Sequence, residues 1–452
     1  MHLEVRDQHL TSDIDEPMKI IVPGGTGQIG AILHRSLAAA GHEVVIVTRR
    51  PQGPGQIGWD GRTLGQWASV IDGSDVVINL AGRSVSCRYT AANLKQMMDS
   101  RVESARVVGE AIAAAARPPR AWLQMSTAGI YAHTLDAAHD EATGVISGSQ
   151  AGVPAYWSSS VAIAVNWERA LADAVVPGTR KIALRTAFVM SPDRGGVFDV
   201  LSRLARLGLG GPVAGGRQYV SWLHDADLVR AVSFLIGRED LGGAVNLAAP
   251  SPLPQREFMR SLRAACGIPV GLPATRWMAS VGAFAMRSDA ELLLKSRRVL
   301  PGRLVSEGFV FDYPSWPAAA ADLARRARAR ARLRRPAHDA AIAAGRLPAP
   351  GGSRRPSAAA TATLTAEGGT TMGKKGSQWS TVHSQTWTGS RISSVATAAA
   401  SGARPGAGRS KTSSRPSSRP ITNPAVRPII MPIISPNVRP AGPARIAPAT
   451  TP

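Results

Sequence analysis

The stretch Met18–Gly30, MKIIVPGGTGQIG, runs from a short apolar segment straight into glycines at 24, 27 and 30. Lys19–Pro23 (KIIVP) has the length and the Ile/Val content of a buried parallel strand. Ile29–Ala40 then reads as a helix, with Ile29, Leu33 and Leu37 at helical spacing and Gly41 as its stop. Glu43–Thr48 (EVVIVT) is a second buried strand. Strand, glycine turn, helix and strand within about 30 residues make a βαβ unit. In that setting Gly24 turns the chain out of the strand, Gly27 lets the backbone approach a pyrophosphate, and Gly30 lets the helix pack close to the sheet. The first helical residues, Gln28, Ile29 and Gly30, offer free N–H groups and partial positive charge to the same phosphates.

A dinucleotide is therefore the expected ligand. An acid at the end of the second strand would bind the ribose 2′-hydroxyl of NAD, whereas arginine suits the 2′-phosphate of NADP. The sequence there is Thr48-Arg49-Arg50, without an acid. NADP is expected, with NAD as the alternative; the bland reading is that Arg49 and Arg50 only open a solvated loop. Outward from this unit the alternation continues. Asp75–Leu80, Ala121–Ser126 and Lys181–Met190 read as strands, Ala91–Ala116 and Ala162–Ala174 as helices. The fold class is α/β, a Rossmann-like, doubly wound parallel sheet covered on both faces. Beyond about Pro192 the pattern loosens into glycine-rich loops, with helical segments near Asp225–Ile236, Gln255–Cys266, Ser288–Lys295 and Trp316–Arg330. On the long second helix Leu94, Met98, Ala105, Val108 and Ile112 form an apolar stripe, and Arg101 falls in line with it. A charge on a buried face needs a partner. A phosphate, a substrate carboxylate or an acidic core neighbour would each serve.

The 452 residues carry a net charge of +22, with 53 Lys/Arg against 31 Asp/Glu. That charge is concentrated at one end. From Arg325 onward 21 Lys/Arg face 2 acids, Asp339 and Glu367, which leaves residues 1–324 close to neutral. Five regions are expected: a disordered extension (1–17), an NAD(P)-binding domain (18–190), a substrate-side region (191–272), a small C-terminal domain (273–324) and a basic, low-complexity, disordered tail (325–452). Nucleic acid is an expected partner only through that tail, which has few aromatic residues to stack on bases. Two cysteines, Cys87 and Cys266, lie far apart and form no metal-ligand spacing. No metal site is expected, and a reducing compartment fits. Neither a secretory signal nor a membrane-spanning run is apparent, so the expectation is a cytoplasmic protein acting on a small molecule.

Several longer blocks carry a family resemblance: MKIIVPGGTGQIG, VVINLAGRSVSCRYT, SPDRGG, RLGLGGPVAGGRQYVSWLHDADLVRA, VNLAAPSPLPQREF and SRRVLPGRLVSEGFVF. Over about 18–324 the chain resembles the atypical short-chain dehydrogenases known as the epimerase family, which are sugar-nucleotide-epimerase-like and end in a small domain of unknown function. The resemblance implies NAD(P) binding and an unassigned substrate. It also implies that Asn79, Leu80, Ala81 and Gly82 line the nicotinamide side, and that Ser126 and Thr127 occupy the turn holding a catalytic hydroxyl. Active relatives use Tyr-x-x-x-Lys, in which the lysine lowers the tyrosine's pKa for proton exchange. Counted back from Glu168, those places hold Ser160 and Ala164. Tyr131, His133 and the Asp140-Glu141 pair follow the fifth strand and could replace the base; Tyr131 is the first choice, because loops at the C-terminal sheet edge bind ligands, and its bland reading is a packing residue that donates one hydrogen bond. Arg217 and His224 are the expected substrate contacts. Two readings follow: an NAD(P)-dependent oxidoreductase or epimerase-like enzyme on a small, anionic or sugar-nucleotide substrate, or an inactive dinucleotide-binding sensor or scaffold linked to cell division.

Overall fold

The computed structural model describes residues 16–150, 152–285 and 289–343. The chain runs β1 (Lys19–Pro23), α1 (Gln28–Ala39), β2 (Glu43–Thr48), β3 (Gln56–Gly58), β4 (Val76–Asn79), α2 (Ala91–Ala113), β5 (Ala121–Thr127), α3 (Trp157–Asp173) and β6 (Arg180–Thr186). It continues with β7 (Phe188–Met190), α4 (Val197–Arg206), β8 (Tyr219–Val220), β9 (Trp222–His224), α5 (Asp225–Gly237), β10 (Gly243–Leu247), β11 (Leu253–Pro254) and α6 (Gln255–Cys266). Then come α7 (Arg276–Ala285), α8 (Glu291–Leu294), α9 (Gly302–Ser306) and α10 (Trp316–Ala343).

Seven strands form one sheet in the order β10-β6-β5-β4-β1-β2-β3, every neighbouring pair parallel. The direction of winding reverses between β1 and β4, which opens a crevice at their C-terminal ends, the usual ligand position in such sheets. Strand residues alternate between two cores. Ile20 and Val22 face Leu33 and Leu37 of α1 and Leu228, Val232 and Leu235 of α5. Ile21, Val45, Val47 and Val77 face Val108 and Ile112 of α2 and Trp167 and Leu171 of α3. With both faces covered, the strands need continuous apolar runs, which is why KIIVP and EVVIVT do not alternate with polar residues.

Several expected boundaries shift. The run Lys181–Met190 is two strands: β7 leaves the main sheet at Ala187 and pairs with β9. The helix after β5 starts at Trp157, five residues before the expected Ala162. On α2 the buried residue is Met97 rather than Met98. The basic run from Arg325 is the continuation of α10, so a tail beginning at 325 is corrected. Trp316, Ala320, Leu323 and Ala324 pack with Trp222 and Phe258. Arg326 holds both carboxylate oxygens of buried Asp225, at 2.7 and 2.8 Å, and Arg330 pairs with Asp193. The 191–272 and 273–324 regions share this core. The expected extension at 1–15 and the tail beyond 343 lie outside the described residues. Among the described residues no helix is long and apolar enough to cross a membrane.

Candidate functional site

The glycine loop lies at the crevice between β1 and β4. Gly24 has φ +76°, and a Cβ there would come within 2.6 Å of Ala81 Cα, so only glycine permits the turn and the close approach. A Cβ on Gly30 would press within 2.2 Å of the Gly25 carbonyl oxygen, which ties α1 to the loop. At Gly27 a Cβ would meet no protein atom nearer than 3.9 Å; the space beside it is open to a ligand. Gly27 caps α1 without a side-chain hydrogen bond, and the first turn holds no acid. The first helical bond in the ladder is Ala31 N–H to the Gly27 carbonyl, so the N–H groups of Gln28, Ile29 and Gly30 point outward without intrahelical partners. Gln28 Nε2 is buried and lacks a hydrogen-bond partner among the described residues. These features fit a pyrophosphate.

Around the loop, Thr48 Oγ1 lies 3.5 Å from Thr26 Oγ1, and Arg49 stands exposed at the end of β2. Asn79 is fully buried. Its side chain accepts from Ala81 N–H at 3.0 Å and donates to Gln124 Oε1 at 2.9 Å. That fixes the Leu80-Ala81-Gly82 turn beneath the loop.

Beyond the C-terminal ends of β5 and β6 lies a cavity of about 190 Å³. Thr127, Thr186, Phe188, Trp167, Ser160 and Ala164 line part of it. Ser160 and Ala164, the two places expected from the resemblance to correspond to tyrosine and lysine, therefore both face the cavity. Arg101 lines it too. Its guanidinium donates to the Met97 carbonyl at 3.1 Å and lies 4.9 Å from the Trp167 ring centroid. Among the described residues no carboxylate is within ion-pair distance of it. Burial lowers its pKa to about 10, so it still carries charge at neutral pH.

The C-terminal region contributes residues that the sequence alone did not single out. Glu291 and Arg297 line the cavity, and Lys295 sits 3.8 Å from Glu291. Glu291 and Lys295 are each 2% exposed. Burial pushes the Glu291 carboxyl up. Burial, helped by the neighbouring Arg297, brings Lys295 down to about 8. Half-buried Tyr89 is a further lining residue, its phenol pushed up by burial and then by Glu291. No sequence signal joins Glu291 to Ser160, since 131 residues separate them.

Four expected site residues are placed elsewhere. Tyr131 is buried outside the cavity lining: its hydroxyl donates to Asn246 Oδ1 and accepts from Arg185 Nη1, both at 2.9 Å. Ser126 donates to Glu168 at 2.6 Å, and Glu168 holds Arg185 through two bonds of 2.9 and 2.8 Å. Tyr131 and Ser126 thus belong to one satisfied network, leaving Thr127 as the member of the expected catalytic set that lines the cavity. His224 caps α5 by accepting from Ala226 N–H at 3.1 Å. Its other ring nitrogen meets Asp322 at 3.2 Å, and Tyr313 stacks on it at 3.7 Å. Arg217 is exposed and does not line the cavity.

A strand–glycine loop–helix unit at a topological switch point, with a mostly apolar cavity that holds a few charged groups, defines a dinucleotide-binding α/β protein. The chain belongs to the NAD dependent epimerase/dehydratase family, whose profile matches residues 20–248; residues 280–323 match a domain of unknown function, DUF1731. It is 34% identical over 307 residues to epimerase family protein SDR39U1 of Homo sapiens, covering 67% of this chain and 98% of that protein. It is 32% identical over 298 residues to epimerase family protein Mb2239 of Mycobacterium bovis, covering 65% of this chain and 93% of that protein. Its fold matches a crystal structure of human SDR39U1 (isoform 2) with NADPH at TM-score 0.60 and 30% identity, over 68% of this chain and 99% of that one.

Proposed function

We propose that this chain is an NADP(H)-dependent oxidoreductase or epimerase-like enzyme acting on a small anionic substrate. The observation that carries the proposal is Arg101, a buried cation facing the cavity with no carboxylate partner among the described residues. A cation without a neutralising partner is expensive to bury. An anionic substrate supplies the missing charge. The glycine loop offers the phosphate cradle, Arg49 beside Thr48 offers a 2′-phosphate contact, and the family relative crystallised with NADPH agrees with that choice. When bound, the nicotinamide would exchange a hydride with the substrate carbon. The cavity size favours small substrates: about 190 Å³ compares with the roughly 150 Å³ that accommodates a benzene ring. A whole sugar nucleotide would have to extend beyond it.

A second reading is favoured by one observation. Ser160 and Ala164 cannot act as the usual tyrosine–lysine pair, which suits a dinucleotide sensor without turnover. Calorimetric titration of NADPH and NADH, followed by an absorbance assay of NADPH oxidation with small keto acids, separates the readings. Tight NADPH binding with turnover that Arg101→Met reduces supports the enzyme. NADPH binding without turnover across the keto acids supports the sensor.

A further inference from the structure

We propose that Glu291, carried by the short helix α8 of the C-terminal module, is the acid–base residue of the cavity and takes over the place left by the absent tyrosine at Ser160. The proposal rests on the reading of this cavity as the substrate site of an NADP(H)-dependent enzyme. It gives the domain of unknown function a chemical role, that of carrying the proton-transfer group into a site that the nucleotide-binding domain leaves incomplete.

The geometry is a matter of proton accounting. Ser160 Oγ lies 2.6 Å from Glu291 Oε1 and 2.9 Å from the Trp157 carbonyl. A serine hydroxyl has one proton to give, and both neighbours accept when Glu291 is ionised. If the serine proton serves the Trp157 carbonyl, a proton on Glu291 completes the other contact. The site therefore accommodates Glu291 in both protonation states, as an acid–base residue requires. Its second oxygen, Oε2, is buried and lacks a hydrogen-bond partner among the described residues. A carboxylate serving only to hold the fold would have both oxygens occupied, as Glu168 does against Arg185.

The nearby charges are arranged for tuning rather than for a closed ion pair. Lys295 Nζ donates to the Gly129 carbonyl at 2.7 Å and stays 3.8 Å from Glu291. Arg297 and Lys295 favour the ionised carboxylate, whereas burial and Asp289 disfavour it. Tyr89 lines the same cavity, and its phenol is influenced by the charge on Glu291. Burial is the largest influence and holds the carboxyl above the ordinary glutamate range, which eases its cycling between proton donor and acceptor. In the oxidation direction Glu291 would take the proton of a substrate hydroxyl, and bound NADP would accept the hydride from the same carbon, so that the substrate becomes a carbonyl compound. In reverse the neutral Glu291 would return the proton to the carbonyl oxygen, the hydride coming from the reduced cofactor.

The test uses the full chain, with pyruvate and NADPH as probes and infrared titration of the protein as an independent readout. Glu291→Gln is expected to keep NADPH affinity and melting temperature. It should lower kcat roughly 10²–10⁴-fold, the usual size of an acid–base contribution, and abolish the pH dependence of turnover. In the infrared spectrum a protonated-carboxyl band that persists above the ordinary glutamate range should be present in the parent and missing from Glu291→Gln. Unchanged turnover and pH profile in that variant overturn the proposal, as does a parent whose Glu291 stays ionised throughout. If the parent binds NADPH and shows the band without reducing pyruvate, the enzyme reading loses support while the proton-holding role of Glu291 stands.

Discussion

A buried hydroxyl can enter a reaction only if its hydrogen bonds are not already committed, and this separates Tyr131 from the cavity groups. The Tyr131 phenol is pushed up by burial, against the opposing pull of Arg185, and both of its bonds are made within the protein. Tyr131→Phe should therefore lower stability by about 1–3 kcal/mol, because Asn246 and Arg185 each lose a partner, while leaving kcat unchanged. Chemical denaturation and a turnover assay check both halves, and a loss of kcat without a loss of stability would restore Tyr131 as the base. Arg49 makes the opposite case, an exposed guanidinium at the end of β2. Arg49→Ala should narrow the preference for NADPH over NADH by roughly tenfold, about the 1.5 kcal/mol or more that a charged hydrogen bond contributes. Titration calorimetry with both cofactors reads this directly, and equal affinities in the parent would remove its basis.

Elements are positioned by contacts that their own sequences only partly announce. The stretch 316–330 reads as a helix, yet what extends α10 through the arginine-rich run is the acid it meets. Asp225 and Asp322 are 4% and 7% exposed, and Arg326 answers both. Arg326→Ala should cost about 3 kcal/mol, the lower end for stripping a partner from buried charges, since Arg326 is itself partly solvated. Thermal melts would show this as a clear fall in Tm, and an unchanged Tm would mean that apolar packing of Trp316 and Leu323 suffices. The glycine loop was more legible. Its three glycines are required by approaches of backbone to backbone or ligand, and such requirements are local enough to read from spacing. Helix α3 was less so, because Trp157-Ser158-Ser159-Ser160 lacks apolar periodicity and is held helical by the surroundings of Trp157 and Ser160.

The molecule as a whole buries several neutral histidines. His42, His139 and His224 are all lowered from 6.5, with burial the largest cause in each. In the unfolded chain these groups take up protons as pH falls through about 6.5, while the folded protein resists. The stability they contribute is thus fully present above that value and is lost as the pH falls toward their depressed folded pKa values. Tm measured between about pH 7.5 and 5.5 should decline on acidification; a flat profile would show that the histidines titrate freely in the fold. The same long-range assembly separates what the sequence determined from what it left open. The βαβ unit, the parallel sheet and the glycine turn were readable, because strand runs, helix spacing and glycine conformation are properties of neighbouring residues. Arg101 could be recognised as a buried charge, since helical spacing places it on the inward face of α2. Its surroundings could not be read, nor could the arrival of Glu291 and Arg297 in the cavity beside Ser160. Those residues reach the cavity across more than a hundred residues of chain, and only packing of the C-terminal module against the sheet edge brings them there.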